Sequence, residues 1–313
     1  MTTFQKATEI QPLTSHTYAA NFPDDWCIGS VPHGGFITAV FLCVARTHFA
    51  TTLQRQNQPD TFTLHLEFLR RTQTGPALFT VRDIKLGRQA SVIHVTLSQA
   101  NREEVVGYIS NAHLAREEGA SLPTDWALHP KPIPADVALL KAGTEPRWGE
   151  LEKMPFAEFR KASNRVRFFF PRNGQLGRGM TDEWLCMRSG ERFTNESVGF
   201  VADMWPQLVE TYSSKGDPYA LEKKGNEKPS IGSMWYPTLL LNLDVKKVLP
   251  EEGVEFLFQR VQAKKIQNGR FDLESIVMDE QGDVVALSHH VVFAVSAARN
   301  LAERSNGSRE SKL

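Results

Sequence analysis

The stretch PHGGFITAVFLCVA, residues 32–45, decides the fold of this chain. A Pro-His-Gly-Gly turn opens it, and apolar side chains then follow on almost every face of a helix, among them Phe36, Val40, Phe41 and Val44. A helix that is apolar nearly all round must be buried by the structure around it, whereas a surface helix shows one apolar stripe. The pattern therefore predicts a central helix enclosed by other elements.

A similar stretch, VGFVADMWP, occupies residues 198–206 and again opens a mostly apolar helix after a small-residue turn. Each helix is followed by an alternating strand, residues 63–68 in the first half and 238–243 in the second. The apolar residues of the two strands keep the same parity, so that Leu66 corresponds to Leu241. The sequence therefore contains an internal repeat.

Long alternating strands complete each half. They are predicted at residues 77–84, 90–99 and 105–113 in the first half, and at 254–264, 271–278 and 284–295 in the second. Asn-Arg and Gly-Asp turns between the last strands of each half favour hairpins. The predicted fold is α+β, a double hot-dog of two repeats, each with a long antiparallel sheet wrapped around a central helix. Residues 1–115 and 161–300 form the repeats, residues 116–160 a proline-rich connector, and residues 301–313 a flexible tail.

Composition narrows the class of protein but not its chemistry. The 313 residues include 36 Lys and Arg against 36 Asp and Glu, so no nucleic acid or anionic membrane is expected as a partner. Three cysteines without a CxxC pair argue against a disulfide framework and a structural zinc site. The N-terminus lacks the apolar segment of a secretory signal. No nucleotide-binding loop, spaced set of metal ligands or Gly-x-Ser-x-Gly elbow is present, and neither a cofactor nor a metal is expected.

Five motifs, in order along the chain, resemble those of type II acyl-CoA thioesterases. They are Pro32–Phe36, His65–Arg71, Leu86–Val95, Ala202-Asp203 with Pro206, and Pro237-Thr238-Leu239. The resemblance covers residues 20–115 and 160–296. It implies the double hot-dog fold, an acyl-CoA substrate, and hydrolysis of the thioester by an activated water. Homo-oligomers are an option that the resemblance leaves open.

The resemblance also implies catalytic residues. In this family an Asp, a Thr and a Gln of the second half hold the water, and the matching positions are Asp203, Thr238 and His290. Histidine thus replaces glutamine, although an imidazole can also hold a water or take a proton. Each residue has a structural alternative: Asp203 as a first-turn carboxylate, Thr238 as an ordinary strand start, and His290 as a hydrogen-bonded core histidine. His289 is expected on the opposite face of its strand.

Further residues are candidates for binding the substrate. Backbone amides at Gly34, Gly35 and Gly199 could stabilise an oxyanion at a helix N-terminus. His33 could line the thioester channel, although Pro-His-Gly is also a plain turn. Arg88 could meet a CoA phosphate or be a solvated charge, and Trp235 could cap the pocket or anchor its strand.

The chain ends in Ser311-Lys312-Leu313 after a polar, turn-rich approach. This tripeptide is the C-terminal address that peroxisomal import receptors read, and the alternative is a chance match. The sequence therefore predicts a peroxisomal acyl-CoA thioesterase, serving fatty-acid turnover or specialised metabolism, with the import receptor as a partner. A second reading is a non-hydrolytic hot-dog protein that binds acyl-CoA or a pathway intermediate. A hot-dog hydratase fits less well, because no Asp and His lie close together on one loop.

Overall fold

The computed structural model describes residues 2–212, 219–221 and 234–302. The C-terminal tripeptide lies outside the described residues, and so does most of the polar segment at residues 213–233.

The described residues form one long α-helix, four short ones and many strands. The helices are α1 (Phe4–Ala7), α2 (Gly34–Ala50), α3 (Val137–Ala142), α4 (Val198–Ala202) and α5 (Ala298–Leu301). The strands of the first half are β1 (Gln11–Pro12), β2 (Thr17–Phe22), β3 (Cys27–Ile28), β4 (Val31–Pro32), β5 (Asp60–Phe68), β6 (Gly75–Lys85), β7 (Ala90–Gln99) and β8 (Arg102–Ala112). Those that follow are β9 (Trp148–Glu150), β10 (Val166–Pro171), β11 (Met180–Met187), β12 (Met234–Trp235), β13 (Thr238–Val245), β14 (Leu257–Gln262), β15 (Ile266–Gln267), β16 (Arg270–Met278), β17 (Val284–Phe293) and β18 (Val295–Ser296). Among these helices none is both long and apolar enough to cross a membrane.

The long antiparallel sheets predicted for the two repeats join into one continuous sheet. Its order is β1-β2-β6-β7-β8-β5-β13-β17-β16-β14-β11-β10-β9, so the halves meet where β5 pairs with β13. At that junction Leu66 is opposite Leu241, the residue to which it corresponds in the repeat. Two equivalent residues that pair with each other must lie on the axis relating the halves. The two repeats are therefore related by a pseudo-twofold axis that passes between these two leucines.

The central helices pack against each other inside the sheet. Helix α2 is buried along most of its length, as its all-round apolar pattern predicts. Gly35 and Gly199 permit the close contact: a methyl group on Gly35 would lie 2.8 Å from the carbonyl oxygen of Phe200, and one on Gly199 would lie 2.8 Å from Thr38. The start of α2 is thereby brought against the end of α4.

Helix α4 is shorter than the sequence pattern suggests. It has five residues and ends before Asp203, and a 3₁₀ helix follows at Pro206–Tyr212. Proline disfavours helical geometry in the preceding residue, and Trp205 adopts a left-handed φ of 68°. Asp203 is consequently the C-cap of α4, which corrects the view of it as a first-turn carboxylate.

The proline-rich connector, residues 116–160, contains secondary structure of its own. It includes α3 and β9, and β9 extends the sheet by pairing with β10. Trp148 of β9 packs in a second apolar cluster, with Trp184 and Phe258, on the outer face of the second repeat. The connector therefore covers the sheet of the second repeat as well as crossing between halves.

Candidate active site

Asp203, Thr238 and His290 come together in one buried cluster. The Thr238 hydroxyl donates a hydrogen bond to Asp203 Oδ1 at 3.0 Å, and His290 Nδ1 lies 3.1 Å from the same oxygen. Asp203 is 3% exposed and His290 is 0% exposed. The three residues lie close together because α4 ends above the point where β13 begins beside β17.

The other carboxylate oxygen of Asp203 faces the N-terminus of α2. A methyl group placed on Gly34 would lie 2.7 Å from Oδ2. Burial raises the pKa of the Asp203 carboxyl, but the hydrogen bond from His290, the nearby His33 ring and the hydrogen bond from Thr238 outweigh burial and leave the pKa below its ordinary value. The positive end of a 17-residue helix also favours an anion there. Asp203 is therefore ionised in spite of its burial.

His290 is held on its other side by Ser288. The Ser288 oxygen lies 2.6 Å from His290 Nε2 and also 2.6 Å from the carbonyl oxygen of Asn242. A hydroxyl has one proton, so it donates to only one of them. If it donates to Nε2, a neutral His290 carries its proton on Nδ1 and donates to Asp203. If it donates to Asn242, the Nε2–H group of His290 must donate to Ser288 for that hydrogen bond to remain.

His33 caps α2 and is neutral. Its Nδ1 accepts hydrogen bonds from the backbone amides of Gly35, at 3.1 Å, and Phe36, at 3.4 Å. Burial lowers the pKa of the ring, and the neighbouring Asp203 only partly offsets that effect. Because Nδ1 carries a lone pair, its 3.8 Å approach to Asp203 Oδ2 is not an ion pair. The amide of Gly35 is occupied by this cap, which leaves Gly34 as the glycine of the turn that can face a ligand.

A cavity of about 240 Å³ opens beside the cluster, between the two repeats. Its walls include His33 and Gly34 from the start of α2, Asp203 and Thr238 from the second repeat, and Trp235 of β12. The residues after β5, among them the exposed Arg70, line it as well. His289 is exposed on the opposite face of β17, as the alternation predicts.

Three of the proposed substrate-binding residues have other positions or roles. Arg88 does not line the cavity: the turn that carries it adjoins Ala90, which is level with Ala112 and hence with Asp60 at the far end of β5. The cavity lies at the other end of β5, at Phe68, and the nine residues of this strand span about 26 Å. Gly35 and Gly199 are packing residues between α2 and α4. Motif spacing placed Arg88 before a long strand but could not show at which end of the sheet that residue lies.

A buried polar network on the cavity wall was missed by sequence reasoning. Arg160 donates to Glu210 Oε1 at 2.6 Å and to the Tyr219 hydroxyl at 2.5 Å, and the Tyr236 hydroxyl donates to Glu210 Oε1 at 2.8 Å. Arg160 and Tyr236 both line the cavity. Arg160 belongs to the connector and Glu210 to the 3₁₀ helix after α4, so no local spacing connects them. Ser288 could have been found, because it lies two residues before His290 on the same strand face.

Fold and site together define a hot-dog thioesterase, and the comparisons with known proteins agree. Residues 22–112 match the model of the acyl-CoA thioesterase N-terminal domain, and residues 134–294 match that of the acyl-CoA thioesterase C-terminal domain. The chain therefore belongs to the acyl-CoA thioesterase family, a family of thioester hydrolases.

Individual relatives extend this result. The chain is 36% identical to the thioesterase-like protein TwmA of Talaromyces wortmannii over 343 aligned positions, covering 98% of this chain and 96% of that protein. It is 29% identical to the ustilagic acid biosynthesis cluster protein orf2 of Mycosarcoma maydis over 115 residues, 35% of this chain and 29% of that protein. Among solved structures, a hot-dog protein of unknown function from Alicyclobacillus acidocaldarius superposes with a TM-score of 0.71 at 14% identity, covering 94% of this chain and 98% of that one. Acyl-CoA thioesterase II of Mycobacterium marinum gives 0.61 at 13% identity, covering 94% and 97%. At these identities the structures show the fold alone.

Proposed function

We propose that this protein hydrolyses an acyl-CoA thioester with a water activated by Asp203. The proposal rests on the different surroundings of the two carboxylate oxygens of Asp203. Oδ1 accepts hydrogen bonds from Thr238 and His290, whereas Oδ2 faces the start of α2 at the wall of the cavity. An ionised carboxylate in that position can hold a water against a bound thioester and take its proton.

The step runs as follows. The water oxygen attacks the thioester carbonyl carbon, and its proton passes to Asp203 Oδ2. The carbonyl oxygen becomes an oxyanion, which the backbone amide of Gly34 at the positive end of α2 stabilises. The C–S bond then breaks, the proton passes from Asp203 to the departing sulfur, and free acid and CoA are released. All atoms come from the water and the thioester, and Asp203 ends as it began.

His290 takes over the function of the family's glutamine. With its proton on Nδ1 it donates to Asp203 Oδ1, as an amide would. This bond and that from Thr238 fix the carboxylate so that Oδ2 stays directed at the cavity. His290 is thus a positioning residue, and a glutamine should serve in its place.

Arg70 is our candidate for the phosphates of CoA, in place of Arg88. It lines the cavity, is exposed, and holds one guanidinium nitrogen 2.7 Å from the Glu103 carbonyl oxygen. Its remaining donors are available to a phosphate, for which the planar guanidinium is well suited.

We further propose that the protein works in the peroxisome, in fatty-acid turnover or specialised metabolism. The C-terminal Ser311-Lys312-Leu313 supports the address, and the similarity to a biosynthesis cluster protein supports the specialised pathway. Deleting residues 311–313 should move a fluorescent fusion from peroxisomes to the cytosol. Retention in peroxisomes after deletion, in cells lacking any other copy of the protein, would show that the tail is not the signal.

Thiol release from a panel of acyl-CoAs tests the chemistry. Asp203→Asn should lower kcat by about 10²-fold or more, the scale of a lost general base. His290→Ala should lower kcat strongly and His290→Gln should restore most of it, while His289→Ala, on the exposed face of the same strand, should be silent. Full activity of Asp203→Asn would refute the assignment. Binding of acyl-CoA without turnover by the unmodified protein would instead support the non-hydrolytic reading.

A further inference from the structure

A second cluster of chemically active side chains lies at the opposite end of α2 from Asp203. His16 precedes β2, His48 lies in the last turn of α2, and Asp83 belongs to β6. From Gly34 to His48 the helix rises about 21 Å, at about 1.5 Å per residue. This cluster is therefore separate from the active site.

The two imidazoles converge on the two oxygens of one carboxylate. His48 Nε2 lies 2.9 Å from Asp83 Oδ1, and His16 Nε2 lies 3.4 Å from Asp83 Oδ2. Ligand atoms of the three residues all lie within 4.8 Å of one another. Ligands about 2.05 Å from a tetrahedral zinc ion are about 3.3 Å apart, so only small side-chain movements would be needed to share one ion.

Each imidazole also has an oxygen partner on its remaining nitrogen. His48 Nδ1 lies 2.8 Å from the Tyr18 hydroxyl, which is itself 3.1 Å from the carbonyl oxygen of Ser15. His16 Nδ1 lies 2.9 Å from the Ser15 hydroxyl. Histidines that bind metals characteristically donate their other N–H to such an acceptor.

The Tyr18 hydroxyl can serve His48 in either protonation pattern. It can donate to Nδ1 while Nε2–H donates to Asp83. It can also donate to Ser15 and accept from Nδ1–H, which leaves the lone pair of Nε2 free for a metal ion. The surroundings of His48 thus accommodate a metal without an unsatisfied buried group.

We propose that His16, His48 and Asp83 bind one divalent transition-metal ion, with zinc as the best-suited candidate. Two imidazole nitrogens and a carboxylate form a donor set that zinc accepts, with a water completing the four ligands. Space for that water lies on the solvent side, because the side chains of His16 and Asp83 are 42% and 25% exposed. The side chain of His48 is fully buried.

The ion would join three elements that are distant in sequence: the turn before β2, the end of α2, and β6. Its effect would be on stability, because it lies far from Asp203. Sequence reasoning expected no metal, since the ligands occur at no recognisable spacing and the fold alone brings them together.

Calorimetric titration of the full chain with zinc chloride, after chelator treatment, tests the proposal. We expect one saturable site per chain and a thermal midpoint that rises with zinc concentration. His16→Gln should weaken binding at least about tenfold, and so should Asp83→Asn. Tyr18→Phe, which removes the partner of His48, should weaken it about tenfold. His65→Gln is the matched control, because His65 is also partly exposed, at 40%, and lies 3.5 Å from a carboxylate, that of Glu67. This variant should leave the zinc affinity unchanged.

Absence of saturable binding would overturn the proposal and leave the cluster as a hydrogen-bonded network. Unchanged affinity in both His16→Gln and Asp83→Asn would also overturn it, because the ion would then lie elsewhere. His16→Gln keeps the test decisive even if a buried variant fails to fold, since the side chain of His16 is 42% exposed. Visible absorption of the cobalt-loaded protein, lost in His16→Gln, would support the assignment independently of stability.

Discussion

Replacing Gly34 by alanine adds one methyl group against the catalytic carboxylate. The new carbon would lie 2.7 Å from Asp203 Oδ2 and 3.7 Å from Thr238 Oγ1. Ordinary contact begins near 3.4 Å, so the carboxylate must move by about 0.7 Å. It cannot do so freely, because Oδ1 is held by Thr238 and His290 and the side chain is 3% exposed.

A displacement of about 1 Å in a catalytic group can cost about 10²-fold, so we expect kcat of Gly34→Ala to fall about 10- to 100-fold. Stability should hardly change. Gly34 does not have a positive φ, and alanine is a better helix residue than glycine by up to about 1 kcal/mol. The expected result is a folded protein with a normal thermal midpoint and little activity.

Thiol release and thermal unfolding, measured on three glycine variants, separate catalysis from packing. Gly35→Ala directs its methyl group at the Cβ atom of Asp203 and at the backbone oxygens of Phe200 and Gly199, so it should destabilise the fold by about 1–3 kcal/mol as well as lower kcat. Among the described residues the methyl group of Gly177→Ala meets only Met180, at 3.6 Å, so this variant should alter neither quantity. Wild-type kcat in Gly34→Ala would refute the reasoning, as would a loss of thermal midpoint equal to that of Gly35→Ala.

Three further predictions concern buried titratable groups. Burial lowers the pKa of His33, so below about pH 6.5 the unfolded chain binds a proton that the folded chain does not bind. The free energy of unfolding therefore falls by up to about 1.4 kcal/mol per pH unit as the pH is lowered. His33→Asn keeps an acceptor at the helix cap but does not titrate. Urea unfolding between pH 7 and 5 should therefore show a smaller loss of unfolding free energy in the variant than in the wild type; an equal loss would contradict this. Burial raises the pKa of Glu183 well above its usual value, so stability is lost as pH rises above about 4.3, and Glu183→Gln should raise the thermal midpoint more at pH 8 than at pH 5. Asp182→Asn removes the charged partner of the buried Arg260, to which Asp182 is bonded at 2.6 Å, and should cost about 3–5 kcal/mol of stability; a higher thermal midpoint at either pH 5 or pH 8 would contradict that account.

The fold could be predicted from sequence because its signals are periodic. Alternation placed Leu66 and Leu241 on the same face of equivalent strands, and the structure pairs them on the pseudo-twofold axis. The apolar pattern after Gly34 predicted a buried helix, which α2 is. Asp203, Thr238 and His290 were found by resemblance, and the structure brings all three together.

What the sequence could not give depends on contacts between distant elements. The end of α4 follows from Pro206, but its consequence, a carboxylate facing the start of α2, requires the crossing of the helices. Arg88 carries the right charge on a turn at the wrong end of the sheet. Likewise, Arg160 meets Glu210 only because the connector returns to the cavity.

The origin of the oxygen in the product acid tests the central claim most directly. A single turnover is run in water labelled with the heavy oxygen isotope, with enzyme in excess over an acyl-CoA. If Asp203 activates a water, the heavy isotope appears in the free acid during that first turnover and is absent from the peptide containing Asp203. An unlabelled acid together with a labelled Asp203 peptide would show that the carboxylate itself attacks the thioester, and would contradict the account.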